Sequence, residues 1–342
     1  MIAPPDPFAN VPAPRSTCRA TVVIPARDEA RLIGRALDAL AGQRDVDGSP
    51  LAAGCFDVLV YANNCSDDTA AAVHAAARRH PAHAIHVAEE CLPPNVAHIG
   101  TARRAAMNAA SARFAAAGIT DALLAATDAD SVPSPAWLAW TLREMEQADV
   151  VTGRIMVDPA EWRGLPASTR DMLLEENAYH FAIAQLKTQL DPKPYDPWPR
   201  HWQRSGPSLA VRLAAYDAVG GVPPVRTLED IALYDLLERN GARIRHSLRV
   251  RVKTSARLHS RAAGGFGARI KAWHEHGDAY RPFLVEDPAV TLARLRGAAV
   301  GAPNEHPACI PAAEATAVLR QVIARGVNEE LATRSSVASI AG

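Results

Sequence analysis

Short apolar runs alternate with stretches of helical periodicity along the first 153 residues of the chain. After the apolar run at 20–25, apolar positions at 32, 33, 36, 37 and 40 recur with the spacing of one helix face. Strands that alternate with helices in this way build βαβ units and a mostly parallel sheet. The pattern predicts strands at 20–25, 56–61, 84–87, 122–126 and 149–153, and helices at 30–40, 66–79, 100–117 and 135–147.

The pattern changes after Gly153. A long amphipathic helix is predicted at 168–190, followed by a loop rich in Pro and Trp at 191–202. The segment 204–257 returns to α/β character, with a helix at 229–239 that Gly241 closes. From residue 264 onward the chain is Ala-rich with polar breaks, which predicts a helical C-terminal extension.

Composition narrows the class of protein. Lys and Arg number 37 and Asp and Glu number 37, so the formal net charge is zero, which argues against a general nucleic-acid binder. No apolar run has the roughly 18 residues of a membrane-spanning helix, and the Pro-rich segment 1–15 lacks the features of a signal peptide. The five cysteines are odd in number and never spaced as Cys-x-x-Cys, which predicts reduced thiols and a cytoplasmic protein. These features are compatible with an oligomer.

Two carboxylates, Asp128 and Asp130, follow the buried apolar run at 122–126. Side chains two apart on an extended backbone point the same way, and two like charges at that distance need a cation. Mg²⁺ and Mn²⁺ are coordinated by carboxylate oxygens and usually also by the phosphates of a substrate, so the pair predicts a metal–diphosphate site. The alternative interpretation is a capped turn, with Ser134 as the N-cap and Pro135 at the first position of the next helix.

Polar segments also follow the first two predicted strands. Pro25–Glu29 comes after the first strand and Asn63–Thr69 after the second. Open α/β sheets bind ligands at the carboxyl ends of their strands, so these segments and Asp128–Asp130 are expected at one edge.

The order and spacing of these motifs resemble the family 2 glycosyltransferases of the GT-A fold. The resemblance covers about residues 20–260 and rests on several motifs in the same order, each weak by itself. It continues through Gly100-Thr101-Ala102-Arg103, which is similar to a diphosphate loop, Gly206–Arg212, Gly220-Gly221 and Leu228–Leu233.

The resemblance implies a GT-A architecture, an α/β fold with a mixed, mostly parallel sheet flanked by helices. It divides the chain into an irregular Pro-rich tail at 1–18, a nucleotide-sugar-binding half at 19–153, an acceptor-binding half at 154–263 and the helical extension at 264–342.

The resemblance also assigns roles to particular residues. Asp230 is the expected general base, and Asp130 and His259 are the expected ligands of a divalent metal, Mn²⁺ or Mg²⁺. The acceptor side is expected to include Gly206 and Glu229. Contacts to the donor nucleotide are expected from Pro25, Arg27, Glu29, Asn63, Asn64, Asp67, Arg103 and Asp128.

Three points stay open in this assignment. The family usually carries an aspartate where this chain has Asn63 or Asn64, so the nucleobase is not fixed. Arg103 or Arg104 is either a diphosphate ligand or a surface arginine, and Arg257 and Arg261 are an alternative clamp for the donor phosphates. The aromatic face of Trp198, in the loop at 191–202, suits a sugar ring or a flat acceptor, whereas the alternative is a structural lid whose Trp rings fill the join between two layers.

The implied function is metal-dependent transfer of a sugar from a nucleotide-diphosphate sugar to a hydroxyl acceptor, with inversion. The acceptor is a small molecule or a lipid. Alternatives are a catalytically inactive nucleotide- or sugar-binding protein of the same fold and, lower in rank, a sugar-phosphate nucleotidyltransferase, which needs a glycine-rich loop after the first strand. A Rossmann dehydrogenase is disfavoured because no G-x-G-x-x-G follows that strand.

Overall fold

The structure is a computed structural model, and it describes residues 6–257, 265–276, 284–297 and 309–325. The chain divides into two compact units. The first unit comprises Met1–Glu161 and Gln203–Arg269, and the second comprises Trp162–Trp202 and Ile270–Gly342.

The first unit is built on an eight-stranded mixed sheet. Its strands are β1 (Ala20–Ala26), β2 (Phe56–Asn63), β3 (Ala84–Glu90), β4 (Leu123–Ala126), β5 (Ser131–Pro133), β6 (Val150–Val157), β7 (Leu209–Arg212) and β8 (Ile244–Thr254). The strand order is β3-β2-β1-β4-β7-β6-β8-β5. The pairs β1–β2, β2–β3, β1–β4 and β6–β8 are parallel, whereas β7 is antiparallel to β4 and β6, and β5 to β8.

Hydrophobic cores cover both faces of this sheet. Every residue of β1 and β2 is buried, as expected for parallel strands covered on both faces. Consecutive side chains enter opposite cores, because Val22 packs in one and Val23 in the other. The flanking helices are α1 (Ile33–Ala41), α2 (Thr69–Arg79), α3 (Ile99–Ala116), α4 (Trp137–Glu144), α7 (Leu213–Ala218) and α8 (Glu229–Arg239), and α5 (Pro159–Gly164) follows β6.

The second unit is mainly helical. It contains α6 (Ala167–Leu190), α10 (Pro288–Leu295) and α11 (Ala312–Arg325), together with the antiparallel pair β9 (Leu284–Glu286) and β10 (Cys309–Pro311). Helix α9 (Phe266–His276) ends within this unit. Tyr179, Leu186, Leu292 and Leu319 belong to its core. Among the described residues, no helix has the length and hydropathy needed to cross a membrane.

The predicted architecture is confirmed, with differences at short elements. The helix expected to begin at Ser134-Pro135 begins at Trp137, and its N-cap residue is Ala136 instead of Ser134. The Ser134 carbonyl instead accepts hydrogen bonds from the Trp137 amide, at 3.0 Å, and from the Gln43 side chain, at 2.8 Å. The three-residue strands β5, β9 and β10 were not predicted, because such short segments carry no period of their own and depend on a partner strand.

Candidate functional site

Three of the predicted polar segments meet at one edge of the sheet. They follow β2, β1 and β4, which are parallel neighbours in the strand order. Asp28 and Asn64 have φ values of 54° and 52°, the left-handed conformation that Asn and Asp tolerate better than most residues. The chain therefore leaves β1 and β2 through tight turns, and their polar residues stay at the carboxyl edge.

Seven ionisable side chains of the first unit interact at this edge, and we call them the charged cluster. All of them are buried or partly buried. The members are Glu29, Arg103, Asp128, Asp130, Glu229, Asp230 and Arg257.

Arg103 lies at the centre of one half of the charged cluster. Its Nε donates to Glu229 Oε1 at 2.8 Å and its Nη2 to Asp128 Oδ1 at 2.9 Å. Burial opposes the charge of this guanidinium, but Asp128, Glu229 and Asp230 outweigh burial and hold its pKa above the ordinary arginine value. Arg103 is only 2% exposed, so it is not a surface arginine. Its buried Nη1 has no hydrogen-bond partner among the described residues.

Arg257 connects the other half of the charged cluster. Its Nη1 and Nη2 donate to the two carboxylate oxygens of Glu29 at 2.7 Å and 2.5 Å, and Nη2 also lies 2.9 Å from Asp130 Oδ2. Burial opposes the charge of Arg257, but hydrogen bonding to Glu29 and the charge of Asp130 raise its pKa. One guanidinium thus bridges a residue after β1 and a residue after β4.

Asp130 lies in an environment that opposes its negative charge. Burial, followed by the charge of Asp128, raises the pKa of Asp130 to about 7, although Arg257 works in the other direction. Asp130 Oδ1 makes one hydrogen bond within the described residues, a long one from the Ser131 hydroxyl at 3.5 Å. A carboxylate oxygen of this kind, in a cluster of five carboxylates and two guanidiniums, fits the ligand preference of Mn²⁺ or Mg²⁺. His259, the second metal ligand predicted from the sequence, lies outside the described residues.

Asp230 and Gly206 meet at the start of α8. The Gly206 amide donates to Asp230 Oδ2 at 2.5 Å, and the Ile231 amide donates to Asp230 Oδ1 at 2.8 Å. A Cβ atom on Gly206 would lie 2.5 Å from Arg103 Nη2, closer than any real contact allows. Gly206 therefore lets the backbone approach the guanidinium while its amide orients the Asp230 carboxylate.

The two asparagines after β2 differ in their contacts. The Asn64 side chain donates to the Leu92 carbonyl at 2.8 Å and accepts from the Leu92 amide at 3.1 Å. Asn63 is 3% exposed, and its Nδ2 donates to Asn64 Oδ1 at 3.3 Å. Within the described ranges, Asn63 Oδ1 accepts no hydrogen bond.

The other sequence-predicted residues have these surroundings. Asp67 accepts from the amides of Ala30 and Thr69, both at 3.0 Å, and so ties the two turns together. Arg27 is exposed and donates to the Ala97 carbonyl at 3.4 Å, and Pro25 lies within β1. Trp198 belongs to the second unit, where its side chain is 41% exposed. Roles for these residues in binding stay predictions.

Sequence reasoning missed how the charged cluster is paired. Arg257 and Arg261 are the candidates for a clamp on the donor phosphates; Arg261 lies outside the described residues, and the ion pairs of Arg257 with Glu29 and Asp130 were not predicted. The position of Arg257, three residues after β8, was the available signal. Gly100 is expected in a diphosphate loop, but the group that packs closely against it belongs to the protein. A Cβ at this position would lie 1.9 Å from the Val225 carbonyl oxygen.

The comparison with known proteins agrees with this geometry. The family model for "Glycosyltransferase like family 2" matches residues 18–190, half of the chain, and the chain belongs to this family. It is a glycosyltransferase of the GT-A fold, with a nucleotide sugar as the class of donor. No curated protein matches the chain at a significant level.

Solved structures with similar folds share little sequence with the chain. A mannosyltransferase, PcManGT from Pyrobaculum calidifontis in complex with GDP-Man and Mn²⁺, is 18% identical, with a TM-score of 0.47 over 98% of this chain and 84% of that one. Residues 1–349 of TarS from S. aureus in complex with UDP are 16% identical, with a TM-score of 0.48 over 77% and 73%. Glucosyl-3-phosphoglycerate synthase from Mycobacterium tuberculosis, with Mg²⁺ and UDP, is 17% identical, with a TM-score of 0.41 over 78% and 83%.

Proposed function

We propose that this glycosyltransferase depends on a divalent cation and transfers its sugar to a hydroxyl acceptor with inversion at the anomeric carbon. The observation that carries the proposal is the charge balance of the charged cluster. Five carboxylates face two guanidiniums, so the cluster contains three more acidic groups than basic ones. A diphosphate would add further negative charge, and the cluster accepts it only together with a cation.

The cation is proposed to bind Asp130, with Asp128 beside it. Mn²⁺ or Mg²⁺, when bound, acts as a Lewis acid that stabilises the departing nucleoside diphosphate. The chain itself contributes Arg103, whose buried guanidinium fixes the Asp128 carboxylate through Nη2 at 2.9 Å. This pairing keeps one carboxylate of the motif in place and leaves Asp130 Oδ1 for the cation.

Asp230 is the proposed general base. Its neighbour Glu229 is 2% exposed and pairs with Arg103, so Glu229 is committed to the structure of the cluster. Asp230 is partly exposed, and the amides of Gly206 and Ile231 orient its carboxylate at the start of α8. It takes the proton of the acceptor hydroxyl as that oxygen bonds to the anomeric carbon and the bond to the diphosphate oxygen breaks. A single displacement inverts the configuration.

The acceptor is proposed to be a small molecule or a lipid that presents a hydroxyl group beside Asp230. Gly206 and Glu229 would border it. Trp198, which belongs to the second unit, is a separate candidate for acceptor binding through the exposed part of its indole, because loops carry binding residues more often than the framework does.

The role of Asp230 is tested by Asp230→Asn, with nucleoside diphosphate release measured over a panel of nucleotide sugars with Mn²⁺ or Mg²⁺. We expect Asp230→Asn to lower the rate of release by a factor of about 10²–10⁴ and to leave the affinity for the nucleotide nearly unchanged. The matched control is Asp235→Asn, in the same helix, where Asp235 pairs with Arg204 at 2.7 Å. A wild-type rate for Asp230→Asn would place the base elsewhere, and no release from any donor would reject catalysis.

The role of the cation is tested by calorimetric titration of nucleoside diphosphates with Mn²⁺ or with chelator. We expect strong binding only with the metal, and we expect Asp130→Asn to remove the difference. Equal affinities in wild-type protein with and without metal would reject the proposed metal dependence. The initial anomer released from the donor, followed by NMR, tests inversion.

A further inference from the structure

Arg257 has two unequal attachments within the charged cluster. Two hydrogen bonds join it to Glu29, which is 5% exposed, and a single contact of 2.9 Å joins Nη2 to Asp130 Oδ2. Bidentate carboxylate pairs are the stronger kind of charge-assisted interaction. The guanidinium is therefore anchored on Glu29, and Asp130 is the partner that it releases more easily.

We infer that Arg257 is an internal cation that competes with the divalent metal for Asp130 and is released toward the donor diphosphate when the metal binds. This inference rests on the proposed function, because it takes Asp130 as a metal ligand. In the protein without ligands, Arg257 neutralises Asp130. A metal on Asp130 takes over that neutralisation and repels the nearby guanidinium.

The released guanidinium then has a use at the same site. It stays held by Glu29, beside the carboxylate that binds the metal. Nη2 carries two hydrogens, of which one stays on Glu29 and the other is released from Asp130. A diphosphate bound with the metal would offer oxygens to this second N–H, and arginine binds phosphate oxygens well. Binding of the metal alone costs the protein its Asp130–Arg257 contact. Binding of the metal together with a diphosphate would replace that contact by one between Arg257 and a phosphate oxygen. Through Arg257, bound metal thus raises the affinity of the protein for the donor, and bound donor raises its affinity for the metal.

The test measures Mn²⁺ affinity of the metal-free protein by the electron paramagnetic resonance signal of free Mn²⁺. We expect Arg257→Gln to bind Mn²⁺ alone about 10- to 100-fold more tightly, the range for a hydrogen bond between charged groups. In the presence of Mn²⁺ we expect the same variant to bind nucleoside diphosphate at least about tenfold more weakly.

Two further variants isolate the competition from simple charge effects. Arg257→Gln combined with Glu29→Gln leaves the net charge of the cluster unchanged and removes the buried Glu29 carboxylate together with the guanidinium that pairs with it. We expect tighter Mn²⁺ binding in this variant too. The matched control is Arg243→Gln, because Arg243 also makes two hydrogen bonds to one carboxylate, that of Asp149, at the start of β8. We expect no change in either affinity there.

The outcomes separate this inference from the proposed function. One outcome is that the wild-type protein binds Mn²⁺ with nucleoside diphosphate, but both Arg257 variants bind Mn²⁺ alone no more tightly than the wild type does. This outcome would overturn the inference and leave the proposed metal site intact. Absence of Mn²⁺ binding in every variant, with and without nucleoside diphosphate, would overturn both.

Discussion

The two asparagines at the end of β2 have opposite relations to the protein around them. Both polar ends of the Asn64 side chain bond to the backbone of Leu92. Asn63 instead keeps an acceptor oxygen without a partner among the described residues, at the edge where the donor is proposed to bind. Asn63 is therefore the better candidate to accept a hydrogen bond from an N–H group of the nucleobase.

This difference predicts separate effects for two alanine variants. We expect Asn63→Ala to weaken nucleoside diphosphate binding about tenfold and to change the melting temperature little, as for one lost hydrogen bond. We expect Asn64→Ala to lower the free energy of unfolding by about 1–3 kcal/mol, because it leaves the backbone groups of Leu92 unpaired. Thermal unfolding and calorimetric titration of both variants test this, and equal losses of affinity would contradict it.

The sequence singles out individual acidic residues, but it does not predict which residues form ion pairs with each other. Asp128, Asp130 and Asp230 stand out because their motifs are local and lie at the ends of elements. Arg103 and Glu229 are 126 positions apart, and Arg257 and Glu29 are 228 apart. No periodicity relates residues at such separations, so these ion pairs became visible only with the strand order of the folded sheet.

At the scale of elements, length decides what the sequence predicts. Strands β1 and β2, with seven and eight buried residues, are defined by their own apolar runs. Strand β5 has three residues, and its pairing with β8 supplies the hydrogen bonds that make it a strand. The described residues before β1, 6–19, are a further case, because they form no helix or strand and yet contribute to a core.

Phe8 anchors that N-terminal segment. It is 1% exposed, and its ring lies 6.2 Å from that of Tyr61 in β2. We expect Phe8→Ala to lower the free energy of unfolding by about 3–5 kcal/mol, the cost of a large buried ring. Urea unfolding measures this, with Leu174→Ala as control, since Leu174 is 56% exposed. Equal, small effects in the two variants would show that the segment contributes little to stability.

At the scale of the whole molecule, the overall charge conceals how charge is distributed. The chain carries 37 basic and 37 acidic residues, yet the charged cluster has five acidic and two basic members. Net charge could argue against general nucleic-acid binding, but it could not predict a local excess of negative charge. That excess depends on which residues the sheet brings to one edge.

Each compact unit has its own core, and every member of the charged cluster belongs to the first unit. Leu319, in α11, is fully buried in the core of the second unit with Tyr179 and Leu186. We expect Leu319→Ala to lower the free energy of unfolding by about 2–5 kcal/mol. We also expect the affinity for metal and nucleoside diphosphate to stay within about twofold at temperatures where the variant is folded, since no donor-binding residue is touched.

The matched control for this prediction is Val318→Ala, because Val318 precedes Leu319 in the same helix and is 40% exposed. Surface changes of this kind alter stability by about 0.5 kcal/mol or less. Chemical unfolding and calorimetric titration of the two variants measure both quantities. A loss of nucleotide affinity in folded Leu319→Ala, absent from Val318→Ala, would mean that donor binding depends on the second unit as well, because the substitution itself lies in that unit's core.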